Sequence, residues 1–187
     1  MLMRPSASWV LGVVLWLASA TLAGAAVVPE VGRYDLGLQT GYMFGVTNNA
    51  QAISFLPRVG RIVWVGEGEQ PGVVSFGVEG LFTHYFETSS AIDLGGGPYL
   101  RYRWVRDWVQ PYAEVGVGML YNDLKGFSTS ARVLFSVDGA VGVQIPLTER
   151  LGATVGYRFR HISNAGQDKI NPGLNANVIA VGVAFDY

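Results

Sequence analysis

The chain has 187 residues, enough for one domain with a closed core, and no feature indicates a second domain. Half of the residues are hydrophobic and 14% are charged, which is unusual for a soluble domain, yet no apolar run beyond the N-terminal segment is long enough for a membrane helix. The formal net charge of −1 excludes the basic surplus of a nucleic-acid-binding protein, and the lack of cysteine excludes a disulfide framework.

The first 25 residues have the pattern of an export signal. Arg4 supplies a positive start, an apolar stretch follows from Trp9 to Leu17, and the small residues 23–25 suit cleavage. An uncleaved anchor helix would need a longer apolar stretch. We therefore predict a signal peptide over 1–25 and a single domain over 26–187, with 12 basic and 14 acidic side chains once Arg4 is removed.

Eight runs in which apolar and polar residues alternate occupy the rest of the chain. In chain order they extend over 34–46, 53–65, 73–86, 91–104, 109–121, 135–145, 151–159 and 179–187. Alternation with a period of two places one side of each run in lipid and the other in a polar interior. We predict an all-β fold, an eight-stranded antiparallel up-and-down transmembrane β-barrel.

The second run is the least regular. Pro57 cannot donate to a strand ladder, so we expect a kink or a bulge there. Arg58 and Arg61 have opposite parity, and neither is assigned to a face.

The polar sides of the runs carry balanced charges, so we expect ion pairs that fill the barrel and leave no open pore. The inward basic residues are Arg33, Arg101, Arg103, Arg158 and Arg160, the inward acidic residues are Asp35, Glu79, Asp93, Glu114 and Asp138, and Arg132 and Asp186 lie nearer the strand ends. A soluble lipocalin-like barrel with the opposite faces inward is the alternative all-β fold.

Turn lengths predict the orientation. The short turns 66–72, 105–108 and 147–150 would be periplasmic and the loops 122–130 and 164–173 external. All tryptophans beyond the signal segment, Trp64, Trp104 and Trp108, then lie at one interface, as an aromatic belt requires. Lys125 and Lys169 fall in the external loops, where they are candidates for contacts with lipid phosphates.

Candidate catalytic residues lie at the outer end of the seventh run. His161 and Ser163 continue its outward face, roughly 6 to 7 Å apart along the strand, and Asn175 has outward parity in the eighth run. An imidazole and a hydroxyl facing lipid headgroups suit nucleophilic attack on a lipid ester. His84, outward on the third run, is interpreted as an interfacial residue.

Residues 160–166 (Arg-His-Ile-Ser-Asn-Ala-Gly) and 171–175 (Asn-Pro-Gly-Leu-Asn) resemble the outer-membrane lipid A 3-O-deacylase family. The resemblance implies an eight-stranded barrel in the bacterial outer membrane that hydrolyses the acyl ester at the 3-position of lipid A. It makes Ser163 the nucleophile and His161 the base. It also implies an oxyanion hole formed by Asn171 and a backbone N–H near Gly166.

The chain departs from the family at one catalytic position. Asn175 stands where the family has a glutamate that orients the histidine. Three alternatives remain open: Asn175 supports slow turnover, Asp168 or Asp123 from an external loop supplies the carboxylate, or the site is not catalytic.

We therefore expect an outer-membrane esterase that removes the 3-O-linked acyl chain of lipid A, with lipopolysaccharide in the outer leaflet as its partner. A metal cluster, a phosphate-binding loop and a nucleotide fingerprint are absent from the sequence, so no cofactor is expected. The alternative is a non-catalytic small barrel with a structural or surface-binding role. A homodimer is compatible with the sequence, which does not decide it.

Overall fold

The structure is a computed structural model that describes residues 29–45, 51–66, 68, 71–86, 91–122, 133–167 and 173–187. Several predicted features lie outside these residues, namely the signal peptide over 1–25, Asp123, Lys125, Arg132, Asp168, Lys169 and Asn171. Within the described part of the chain, no helix has the length and hydropathy needed to cross a bilayer.

Eight antiparallel strands form a closed barrel in which each strand pairs with its neighbours in sequence. The strands are β1 (Tyr34–Gly45), β2 (Gln51–Gly66), β3 (Gly72–Tyr85), β4 (Ala91–Trp104), β5 (Gln110–Asn122), β6 (Val133–Pro146), β7 (Leu151–Ser163) and β8 (Leu174–Asp186). β8 pairs with β1 and closes the barrel. The predicted eight-stranded up-and-down architecture is confirmed.

The outer wall is apolar because alternate residues of every strand point away from the axis. Exposed side chains include Val59, Val78, Leu94, Val115, Val137, Val155 and Val181. Their alternating neighbours are buried, and many of those are charged. The lipocalin-like alternative is therefore wrong, since its apolar side would face inward.

Ion pairs fill the middle of the interior around Glu114 of β5. Its carboxylate accepts hydrogen bonds from Arg158 at 2.7 Å, Arg101 at 2.7 Å and Arg58 at 3.3 Å. Arg158 also binds both carboxylate oxygens of Glu79. Charges removed from water need such partners, so the network compensates the desolvation that barrel closure imposes.

Near β1 and β2, two details of the sequence prediction are corrected and the position of Arg58, which had been left open, is determined. Arg33 lies before β1 and pairs with Glu30 at 3.2 Å outside the interior network, whereas Arg58 is buried within it. The β2–β3 register shifts between Ile62 and Trp64 rather than at Pro57. Pro57, which has no N–H to donate, has no partner in the β2–β3 ladder, and the register is the same on both sides of it.

The two ends of the barrel differ in composition. A buried apolar cluster lies inside the end where β7 stops and β8 starts; it includes Met43, Leu56, Leu81, Leu120, Leu134, Ile162 and Leu174. The opposite end carries an aromatic group in which the Tyr102 ring lies 4.6 Å from Trp104 and 6.4 Å from Trp64. We call these the site end and the tryptophan end.

Candidate active site

Ser163 and His161 lie in the last three residues of β7, on the outer wall at the site end. β7 ends at Ser163, and the β7–β8 register places His161 directly opposite Asn175. All three side chains are half-buried and share the outward parity of Phe159, while Ile162 between them points inward and is buried. The strand geometry thus exposes an imidazole, a hydroxyl and an amide on one side of the wall.

A hydrogen bond joins His161 to Asn175. The Nδ1 atom of the imidazole lies 2.7 Å from Oδ1 of the amide. Because an amide oxygen only accepts, Nδ1 must carry the proton, and a neutral imidazole then keeps its lone pair on Nε2. That tautomer is the one a general base requires.

Gly173 lies close to the His161 ring. It has a φ of +64°, a conformation that side chains other than glycine rarely adopt. A Cβ at this position would lie 3.1 Å from Cε1 of His161. The glycine therefore allows the backbone directly before β8 to lie in close contact with the imidazole ring.

A tight turn follows Ser163. The carbonyl oxygen of Asn164 accepts from the N–H of Gln167 at 3.0 Å, and its side-chain Oδ1 accepts from the N–H of Gly166 at 2.9 Å. Ala165 and Gly166 have φ values of +52° and +80°, as in a type I′ turn. The Gly166 N–H can reach an oxyanion only by releasing the Asn164 side chain.

The structure brings together some of the predicted site residues and separates others. His161 and Asn175 are bonded, but among the described residues no hydrogen bond links Ser163 to His161, and the cross-strand neighbour of Ser163 is Phe135. Unliganded enzymes often show such loose nucleophile–base geometry. His84 lies between Ile53 and Ile92 in the ladder of β3, away from β7, and takes no part in the site.

Two tyrosine–amide pairs near the site were not anticipated. The Tyr157 hydroxyl donates to Oδ1 of Asn177 at 2.5 Å, and the Tyr42 hydroxyl donates to Oε1 of Gln51. The alternation of β7 could have indicated the first pair, since it places Tyr157 on the same outward side as His161. Which amide it meets depends on the register between strands, which the sequence does not specify.

Comparison with known proteins identifies a family and a set of similar folds. The profile of the family described as lipid A 3-O-deacylase (PagL) matches residues 33–184. A comparison with curated protein sequences finds no significant match.

Similar solved structures support the barrel fold. The outer membrane enzyme PagL has 17% identity and a TM-score of 0.61, covering 79% of this chain and 97% of that one. Neisserial surface protein A has 17% identity and a TM-score of 0.57, with 82% and 97% coverage. The N-terminal β-barrel domain of OprF from Pseudomonas aeruginosa has 11% identity and a TM-score of 0.53, with 83% and 99% coverage.

Proposed function

Because the chain belongs to the lipid A 3-O-deacylase family, we propose that it is an outer-membrane esterase that removes the 3-O-linked acyl chain from lipid A of lipopolysaccharide. The observation that carries the proposal is the 2.7 Å contact between His161 Nδ1 and Asn175 Oδ1, two residues from Ser163 on the same side of β7. This contact holds the imidazole in the tautomer that a general base needs, with a hydroxyl on the same side of the strand, and so supports the proposal.

In the proposed reaction, Ser163 Oγ attacks the ester carbonyl while Nε2 of His161 removes the hydroxyl proton. His161 then gives this proton to the leaving sugar oxygen, which leaves an acyl-enzyme. Water activated by the same imidazole releases the fatty acid and restores Ser163. Asn171 and a backbone N–H near Gly166 are proposed to stabilise the oxyanion of both tetrahedral intermediates.

Asn175 orients the base without supplying a charge. In serine proteases an Asp-to-Asn change at the equivalent role slows turnover about 10⁴-fold, partly because the histidine adopts the wrong tautomer. Here the amide oxygen faces the ring, so the correct tautomer is retained and the missing part is the stabilisation of the imidazolium. We therefore propose that Asn175 supports turnover slower than a carboxylate would; Asp168 and Asp123 remain alternative carboxylates.

We propose lateral access for the substrate. The buried network around Glu114 and Arg158 fills the barrel, so a lipid can approach His161 and Ser163 only along the outer wall. The orientation that suits this route puts the site end at the outer leaflet, with Lys125 and Lys169 as candidate contacts for lipid A phosphates. Export by the 1–25 signal peptide is part of the same proposal.

Mass spectrometry of lipid A tests the function. Membranes carrying the full acyl complement are incubated with purified wild-type protein or with Ser163→Ala, each shown to be folded by its heat-shifted mobility on gels. We expect wild type alone to remove one ester-linked chain. An unchanged lipid A profile with folded wild-type protein would reject the esterase and favour the non-catalytic barrel.

A further inference from the structure

Asn177 presents an amide to the outer wall directly below the candidate catalytic residues. It is the next outward residue of β8 after Asn175, about 7 Å further from the site end along the strand. Its cross-strand neighbours are Phe159 on β7 and Phe44 on β1. The amide therefore lies between two aromatic residues, and in the orientation proposed above this is the depth at which acyl chains begin.

The Tyr157 hydroxyl determines which end of this amide is available. Because the hydroxyl donates to Oδ1 at 2.5 Å, the Nδ2 group points in another direction with two N–H donors. Among the described residues, no protein acceptor lies within hydrogen-bond distance of Nδ2. Hydrocarbon supplies none either, and an unpaired polar group at this depth is unfavourable. A donor retained on a lipid-facing wall indicates a ligand that carries an acceptor oxygen.

We propose that Nδ2 of Asn177 binds an acceptor oxygen in the acyl region of the substrate, within a few bonds of the ester that Ser163 attacks. This inference rests on the proposed function for the identity of that ester. The acceptor is either a hydroxyl on the cleaved chain or the carbonyl of a neighbouring chain, and both have the same hydrogen-bond chemistry. Asn177 thus determines specificity, and Tyr157 is a positioning residue that holds the amide in its donor orientation.

The second tyrosine–amide pair provides a matched control. Gln51 of β2 pairs with Phe44 in the ladder and accepts from the Tyr42 hydroxyl, so it lies at the same level as Asn177. It is two strands away from β8, about 10 Å around the barrel. Gln51→Leu therefore removes an equivalent amide from the same depth without touching the proposed contact.

Binding of non-hydrolysable lipids to Ser163→Ala protein in lipid nanodiscs tests the inference independently of turnover. Three sugar lipids with an amide in place of the scissile ester are compared by calorimetry. One has a plain acyl chain, one has a hydroxyl on the third carbon of that chain, and one has a plain chain beside a second, amide-linked chain. The lipid that gains affinity over the plain one identifies the acceptor as hydroxyl or neighbouring carbonyl.

We expect one of the two oxygen-bearing lipids to bind about five- to tenfold more tightly than the plain lipid. Asn177→Leu should abolish this preference, Tyr157→Phe should reduce it about two- to threefold, and Gln51→Leu should preserve it. Each variant is checked for folding by its heat-shifted gel mobility. Equal affinity for all three lipids, or a preference that survives Asn177→Leu, would overturn the inference.

Hydrolysis of the corresponding esters separates this inference from the proposed function. If wild type cleaves them and Asn177→Leu shows the same ratio of kcat/KM values, the esterase stands and the role of Asn177 is rejected. If folded wild type cleaves none while its binding preference depends on Asn177, the esterase is rejected and the binding site stands.

Discussion

Successive residues of β7 point alternately into the barrel and out from its wall. The side chains of the inner and outer regions are held in place by different numbers of polar contacts. On the inner side, Arg158 bonds to Glu79 and to Glu114 and lies 3.9 Å from Asp138. On the outer side, the described residues give the His161 ring one hydrogen bond, to Asn175. The inner region therefore has several partners for each charge, whereas the outer region depends on a single contact. Changes inside should alter stability, and changes outside should alter the rate of reaction.

The largest expected effect follows from removing the shared carboxylate of the inner region. Glu114→Gln leaves Arg58, Arg101 and Arg158 without the charge they surround. We expect a loss of about 3–5 kcal/mol in the free energy of unfolding, measured by urea titration of the barrel in lipid vesicles with tryptophan fluorescence as the signal. Deacylation per folded molecule should stay unchanged.

Glu149→Gln is the control for this substitution because Glu149 is exposed in the turn between β6 and β7. It removes the same charge where water already compensates it. Coincident unfolding curves for Glu114→Gln and wild type would show that the charge network does not hold the interior.

An intermediate effect is expected from adding a charge to the outer region. Asn175→Asp keeps the geometry of the 2.7 Å contact and converts it into a charge-assisted hydrogen bond. Since such bonds exceed neutral ones by about 1–2 kcal/mol, kcat should rise roughly tenfold, with unfolding unaffected. Initial rates of fatty-acid release from lipid A vesicles measure it.

Two further variants test whether the effect depends on a charge beside His161 and on an acceptor at position 175. Gln51→Glu adds a carboxylate to the outer wall on β2, at the level of Asn177 and two strands from β8, and should leave kcat unchanged. Asn175→Leu removes the acceptor and should lower kcat. If Asn175→Leu had no effect, His161 would be oriented by another group, and Asp168 or Asp123 would be the next candidates.

The smallest effect concerns the backbone beside the histidine. Gly173→Ala introduces a Cβ 3.1 Å from Cε1 of His161 in a residue with positive φ. The strain costs about 1 kcal/mol, and displacement of the ring should lower kcat roughly fivefold. Gly32→Ala is the control, because Gly32 has a φ of +95° and nothing within 4 Å of its added Cβ. Equal kcat values for the two variants would show that Gly173 does not position the ring.

The fold was predictable because a period of two is a strong signal when repeated eight times. The exceptions have local causes. Arg58 could not be assigned because Arg61 has the opposite parity and the same charge; the structure buries Arg58 and exposes Arg61. Arg33 was placed inside because its parity continues that of Asp35, but it precedes β1 and is within reach of Glu30.

The site was predictable as a set of residues but not as an arrangement. Parity placed His161, Ser163 and Asn175 on one side of the wall. The loop between β7 and β8 leaves the register open, so the sequence could not show that His161 faces Asn175 directly. The bond from the Gly166 N–H to Asn164 was foreseeable, since asparagine commonly bonds to the backbone two residues later in turns.

The apolar cluster inside the site end has a consequence for where the water of hydrolysis originates. Ile162, Leu174 and their neighbours lie between the charged interior and the rim that carries Ser163. Ser163 itself points outward from β7, so the interior of the barrel does not open onto its hydroxyl. In the reaction that we propose, the water that cleaves the acyl-enzyme would therefore arrive through the hydrated headgroup layer, and the released proton would leave by the same side. The proposed turnover would thus depend on the hydration of one membrane surface.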